Sequence, residues 1–172
     1  MARTDKLTKL VAVFDQFHHA IARLDDPMAK RLVDGWAGIR HQYVEPSGVP
    51  RSAFAAGMEQ GLREIPELLQ SMHPEARRDA VHALAAATSV HYPEFLAKDA
   101  ERLAKIKERG SIRGGNEFHL VRHQIDLLEG EPNQNEELQL LYTLLDRFES
   151  RGALGITRHP TGPLTAAGEF QR

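Results

Sequence analysis

Cysteine is absent from the 172 residues, so the chain has no disulfide framework, no thiolate metal site and no cysteine nucleophile. Aromatic residues are scarce at 6%, with a single tryptophan, which leaves too few ring platforms for single-stranded nucleic acid. Neither sign of charge dominates. Against 22 Lys and Arg stand 24 Asp and Glu, and the net charge of −2 gives no global pull toward nucleic acid or anionic lipid. No apolar run approaches the about 20 residues that span a bilayer. The opening "MARTDKLTKLVAVFDQFHHAIARLDD" is interrupted by Asp15, His18 and His19 and has no small-residue cleavage site. These absences predict a soluble, cytoplasmic protein that neither enters membranes nor binds nucleic acid. Strands are not expected either, because no segment alternates polar and apolar residues with β-branched enrichment.

What is present is helical periodicity. A 41% hydrophobic content is enough for a real core in one domain of this length. Leu7, Leu10, Val11, Phe14, Phe17, Ile21 and Leu24 recur at three- and four-residue steps, one stripe of an amphipathic helix. Asp26 and Pro27 read as the N-cap and first position of a second helix, with Met28, Leu32, Trp36 and Ile39 inward. The loop "VEPSGVPRS" precedes a third helix, which Pro66 is expected to kink or restart. Pro74 and Pro93 each open a further helix, and Gly110 is placed to stop the second of these. A sixth runs from Asn116 to Glu129, closed by Gly130. A seventh follows, with Asn133 and Glu136 at capping-box spacing. The alanine-rich "ARRDAVHALAAA" resembles a helix of a HEAT-type repeat but occurs once, so a repeat architecture is excluded. The expectation is a single all-α domain of about seven helices over 1–150, with a Gly-, Pro- and Thr-rich tail over 151–172 held loosely through Leu154, Ile156 or Leu164.

The stretch "RGSIRGGNEFHLVRHQID" concentrates the chemistry. Its glycines and arginines could make an anion cradle at a helix start, but a helix precedes the loop where nucleotide-binding motifs need a strand. The lysine of a phosphate loop is also missing. The simpler reading is a helix stop at Gly110, an anchor at Ile112 and a helix start at Asn116. His119 and His123, four apart, share a helix face with Asp126 close by, a partial shell for zinc or iron. His18, set in an apolar stripe, is the best distant fourth ligand, and His91 is another candidate. Arg122 beside the pair and the absence of a second such motif count against a metal. Hydrogen-bonded histidines are the plainer expectation.

No serine sits in a G-x-S-x-G elbow, and Asp25/Asp26 and Glu136/Glu137 lie at helix starts, where carboxylates favour the dipole. With no catalytic motif in view, a non-enzymatic protein-binding module is expected, of the small bacterial regulatory or immunity type. Its surface would combine Arg109 and Arg113 with the acidic turn of Glu131, Glu136 and Glu137. Leu120 and Leu127 form a second apolar stripe on the sixth helix, which is then either central in the fold or turned to a partner. A basic protein fits the acidic turn best, and homodimerisation through the stripe is compatible with it. The alternative is a helical-bundle metal protein using His119, His123, Asp126 and His18.

Overall fold

Prolines and carboxylates set the helix boundaries. Asp26 Oδ1 accepts the N–H groups of Met28 and Ala29 at 2.8 and 3.3 Å, and Pro27 takes the first helical position. Its Oδ2 accepts the N–H of His73 at 3.0 Å, next to Pro74, which opens another helix. Burial by itself would raise the Asp26 pKa, but these three N–H donors outweigh it and hold the carboxyl below its ordinary range. One buried side chain therefore fixes the starts of two helices.

The computed structural model describes residues 4–156. Among them the chain forms seven helices and no strand: α1 Lys6–Ile21, α2 Pro27–Val44, α3 Arg51–Leu69, α4 Pro74–His91, α5 Pro93–Arg109, α6 Gly115–Leu128 and α7 Asn135–Ile156. The expected all-α, seven-helix class is the class observed. No described helix is long and apolar enough to cross a membrane.

Two separate cores hold the helices together. The first is built around α1, which packs on α2, α3 and α4. Leu10, Val13, Phe17 and Ile21 are fully buried there against Leu62, Leu69, Val81 and Ala87. Each large apolar side chain buried this way contributes about 2 kcal/mol. The second core joins the end of α5, the following loop, α6 and α7, through Ile106, Ile112, Val121, Ile125, Leu141 and Leu144. Helix α6 spans both, since Leu127 packs on the first core while Val121 and Ile125 belong to the second. Buried Glu59 is held by Lys6 and Arg63, with Lys98 at 4.0 Å, and this cluster ties α1, α3 and α5.

Several local expectations need correcting. Pro66 neither ends nor restarts α3, which continues to Leu69, so the carbonyl of Leu62 loses its usual helical donor within an unbroken helix. Ile39 is 43% exposed rather than inward, while Trp36 and Tyr43 supply the packing of that half of α2. Gly110 does stop α5, in the left-handed region at φ 73°, its N–H bonded to the carbonyls of Ile106 and Lys107. Asn116 is not the cap of α6. The helix starts at Gly115, and the Glu117 carboxylate instead reaches back to the Arg113 N–H at 2.8 Å. Asn133 lies outside α7 in a left-handed turn at φ 69°, a conformation asparagine tolerates, so it makes no capping box. The tail expected from residue 151 begins as helix, since α7 runs to Ile156; Leu164 lies outside the described residues.

Candidate functional site

Between the two cores lies a partly enclosed cavity of about 360 Å³, walled by α3, α4, α5 and α6. Interiors normally leave few voids larger than a water molecule, so space on this scale requires a structural cause. Small residues supply it. Ala85 on α4 and Ala100 on α5 line the cavity where larger side chains would fill it. Pro66 on α3 adds a face without a backbone donor.

The α6 wall is a complete helical stripe: Asn116, His119, Leu120, His123, Gln124 and Leu127, at steps of three and one. The opposite stripe of α6, including Phe118, Val121, Ile125 and Leu128, packs in the second core. The two-sided apolar character seen in the sequence thus belongs to a central helix. Leu120 and Leu127 are half-buried and turned to the cavity rather than to an outer partner.

The histidine pair is the unusual feature. The Nδ1 atoms of His119 and His123 are buried and have no hydrogen-bond partner, the only such side-chain atoms among the described residues. A buried polar atom without a partner costs about 1–3 kcal/mol, and in a folded protein it calls for an explanation. His119 Nε2 faces Glu67 at 3.7 Å. His123 is only half-buried by surface area yet deep among protein atoms, as expected of a side chain facing an internal cavity. Burial, reinforced by the nearby His82, pushes its pKa from 6.5 down to about 4. His123 is therefore a neutral imidazole at neutral pH.

The other proposed ligands are engaged elsewhere. Asp126 is buried but accepts from Gln70 Nε2 at 2.8 Å and faces Arg77 at 3.7 Å, which anchors α6 to the end of α3 and to α4. His18 projects from α1 among the rings of Phe14, Phe17 and Trp36, donating Nδ1–H to the Phe14 carbonyl at 2.6 Å. Burial lowers its pKa against that bond and against Asp15. His91 donates to Gln16 Oε1 at 2.7 Å. The four-residue shell of His119, His123, Asp126 and His18 is thus not assembled. Among the described residues no three His, Asp or Glu side chains are grouped to hold a metal ion.

The charged surface expected around the glycine loop is largely internal wiring. Arg109 binds the Ser111 carbonyl at 2.8 Å and pairs with Glu117, which stiffens the turn between α5 and α6. Glu137 pairs with Lys107 at 2.9 Å across α5 and α7. Of the seven residues assigned to a partner surface, Arg113, Glu131 and Glu136 remain exposed.

Sequence reasoning missed the α3 and α5 walls, including Leu62, Phe95, Leu96, Asp99, Arg102 and Leu103. The alanines opposite α6 were the available signal, but a small residue announces space only once its neighbour is known. Chemically the cavity offers unpartnered imidazole nitrogens, carboxylates and amides around an apolar floor, the usual composition of a small-molecule site. Compared with models of known protein families, with curated proteins and with solved structures, the chain matches none.

Proposed function

We propose that this protein binds a small organic molecule in the cavity between α3, α4, α5 and α6. One observation carries the reading: the two buried, unpartnered imidazole nitrogens, His119 Nδ1 and His123 Nδ1, belong to residues lining the same cavity. A protein that needed only stability would place apolar side chains there, since each orphaned nitrogen is a standing cost. A ligand that hydrogen-bonds to them and lays its body on Leu62, Leu103 and Leu120 removes that cost and gives its own affinity. The test is a thermal-shift screen of small metabolites against the full chain, followed by calorimetry on the hits. Binders should raise the melting temperature in proportion to ligand concentration, and Ala100→Phe, which fills the cavity, should abolish the shift. Hits that bind the filled variant equally well would place the site elsewhere and refute the proposal.

A second reading, a zinc or iron ion held by His119 and His123, draws on the same two nitrogens. Elemental analysis of untagged protein tests it, and a sub-stoichiometric content unchanged by His119→Ala refutes it. The protein-binding reading of the sequence is supported by the exposed carboxylates of Glu131, in the turn before α7, and Glu136, in its first turn. Retention of a basic partner that Glu131→Lys and Glu136→Lys release would be its evidence.

A further inference from the structure

We propose that the cavity selects an organic cation, an apolar body ending in an ammonium group; this deepens the ligand-binding reading above and rests on it. The lining carries carboxylates that lack a cation of their own. Every Lys and Arg on the lining already contacts an anion, although Arg63 shares its own with Lys6 and Lys98. Arg63 binds buried Glu59 at 2.7 Å, Lys107 binds Glu137 at 2.9 Å, and Arg102 is within 3.4 Å of Asp99. The carboxylates are not all matched in return. Among the described residues neither Glu64 nor Glu67 is within ion-pair distance of a Lys or Arg. Glu64 accepts only a neutral amide N–H from Gln60 at 2.9 Å. Glu67 has His119 Nε2 at 3.7 Å.

Asp99 is the telling group. It lies on the α5 wall, its side chain 21% exposed, and its one ion pair is a long contact three residues along its own helix. Burial pushes its pKa up in spite of Arg102 and the more distant Arg63, so its negative charge is under-compensated where it stands. A ligand cation supplies what is missing, in a region screened from water where charge-assisted bonds are strong.

The histidines select in the same sense. Nε2 of His119 faces Glu67 at 3.7 Å, and a tautomer with its proton on that nitrogen leaves the unpartnered Nδ1 as a lone-pair acceptor. Neutral His123 adds a second ring with an unpartnered Nδ1 on the same wall. An ammonium group brings several N–H donors and no lone pair, matching a carboxylate and an imidazole lone pair. A carboxylate ligand would meet Asp99, Glu64 and Glu67, and every Lys and Arg on the lining already contacts a carboxylate. The apolar body has Leu96, Leu103 and Leu120 to rest on.

The experiment uses three ligands of one shape: phenethylamine, 2-phenylethanol and 3-phenylpropionate, titrated calorimetrically into the full chain at pH 7.5. The amine should bind at least about tenfold more tightly than the other two, the scale of one charge-assisted bond. Asp99→Asn should erase that preference while leaving the affinity for the alcohol unchanged. Glu67→Gln, at an exposed position, should weaken the amine by a smaller factor in a protein of unaltered fold. Equal or tighter binding of the acid, or an Asp99→Asn protein that keeps the amine preference, overturns the charge assignment while leaving a ligand site in place. Silence from all three, and from their indole analogues, overturns the ligand site itself and this proposal with it.

Discussion

Replacing His123 by phenylalanine should change how the stability of this protein depends on pH, and the size of the change follows from the cavity. Burial, with His82 nearby, places the His123 pKa at about 4 in the folded chain, against 6.5 for an unhindered imidazole. Above pH 6.5 both folded and unfolded chains carry a neutral ring and the residue contributes no pH dependence. Between 6.5 and about 4 the unfolded chain takes up a proton that the folded chain refuses. Stability therefore falls as pH drops, by about 1.4 kcal/mol per unit and about 3 kcal/mol over the window. Below pH 4 the folded ring is protonated as well and the loss levels off. His18, lowered chiefly by its burial, acts in the same direction. Asp99, raised by its burial, acts in the opposite one as pH approaches the carboxylate range. Both remain in His123→Phe, so subtracting the two curves isolates the imidazole. Urea unfolding at half-unit steps from pH 7.5 to 4 gives the data. The variant should lose about 3 kcal/mol less than the native chain across that range. At pH 7 it should be at least as stable, since the orphaned Nδ1 is gone and the cavity has room for the larger ring. Parallel curves from pH 6.5 to 4 would refute the placement of His123 as a buried neutral base.

Three further outcomes test the fold. Asp26→Ala removes the acceptor of three backbone N–H groups at the starts of α2 and α4, and should cost about 3 kcal/mol in urea unfolding without changing the denaturant slope. A cost under about 0.5 kcal/mol would mean that water replaces the carboxylate freely. Phe17→Ala empties the centre of the first core, where the ring is 0% exposed, and should cost about 3–5 kcal/mol. Gly110→Ala meets no atom within 4 Å but must hold φ at 73°, so thermal unfolding should show a loss of about 1 kcal/mol from backbone strain alone.

Much of the architecture could be read along the chain because helices are specified locally. Pro27, Pro74 and Pro93 each occupy a first helical turn, Asp26 caps, and Gly110 terminates, as their stereochemistry dictates. Errors arose where two local solutions compete. Asn116 and Asn133 are good caps in isolation, but Glu117 reaches back to the Arg113 N–H, and Asn133 spends its tolerance of positive φ on the turn. Pro66 was expected to kink or restart α3, yet the helix runs on through it, with Ile65 and Leu69 buried in the first core on either side.

The sequence alone determined that α6 has two apolar faces and that His119 and His123 lie together on one of them, because a period of 3.6 residues fixes which side chains share a face. It could not determine what each face meets. Only the tertiary structure turned Leu120, His123 and Leu127 toward α3, α4 and α5, and drew Asp126 away to Gln70 and Arg77, more than 45 residues distant in the chain. It also buried His18 in a ring cluster completed by Trp36 of α2. Periodicity names the face of a helix, but the partner depends on how two cores pack side by side. In this protein the seam between them makes the cavity.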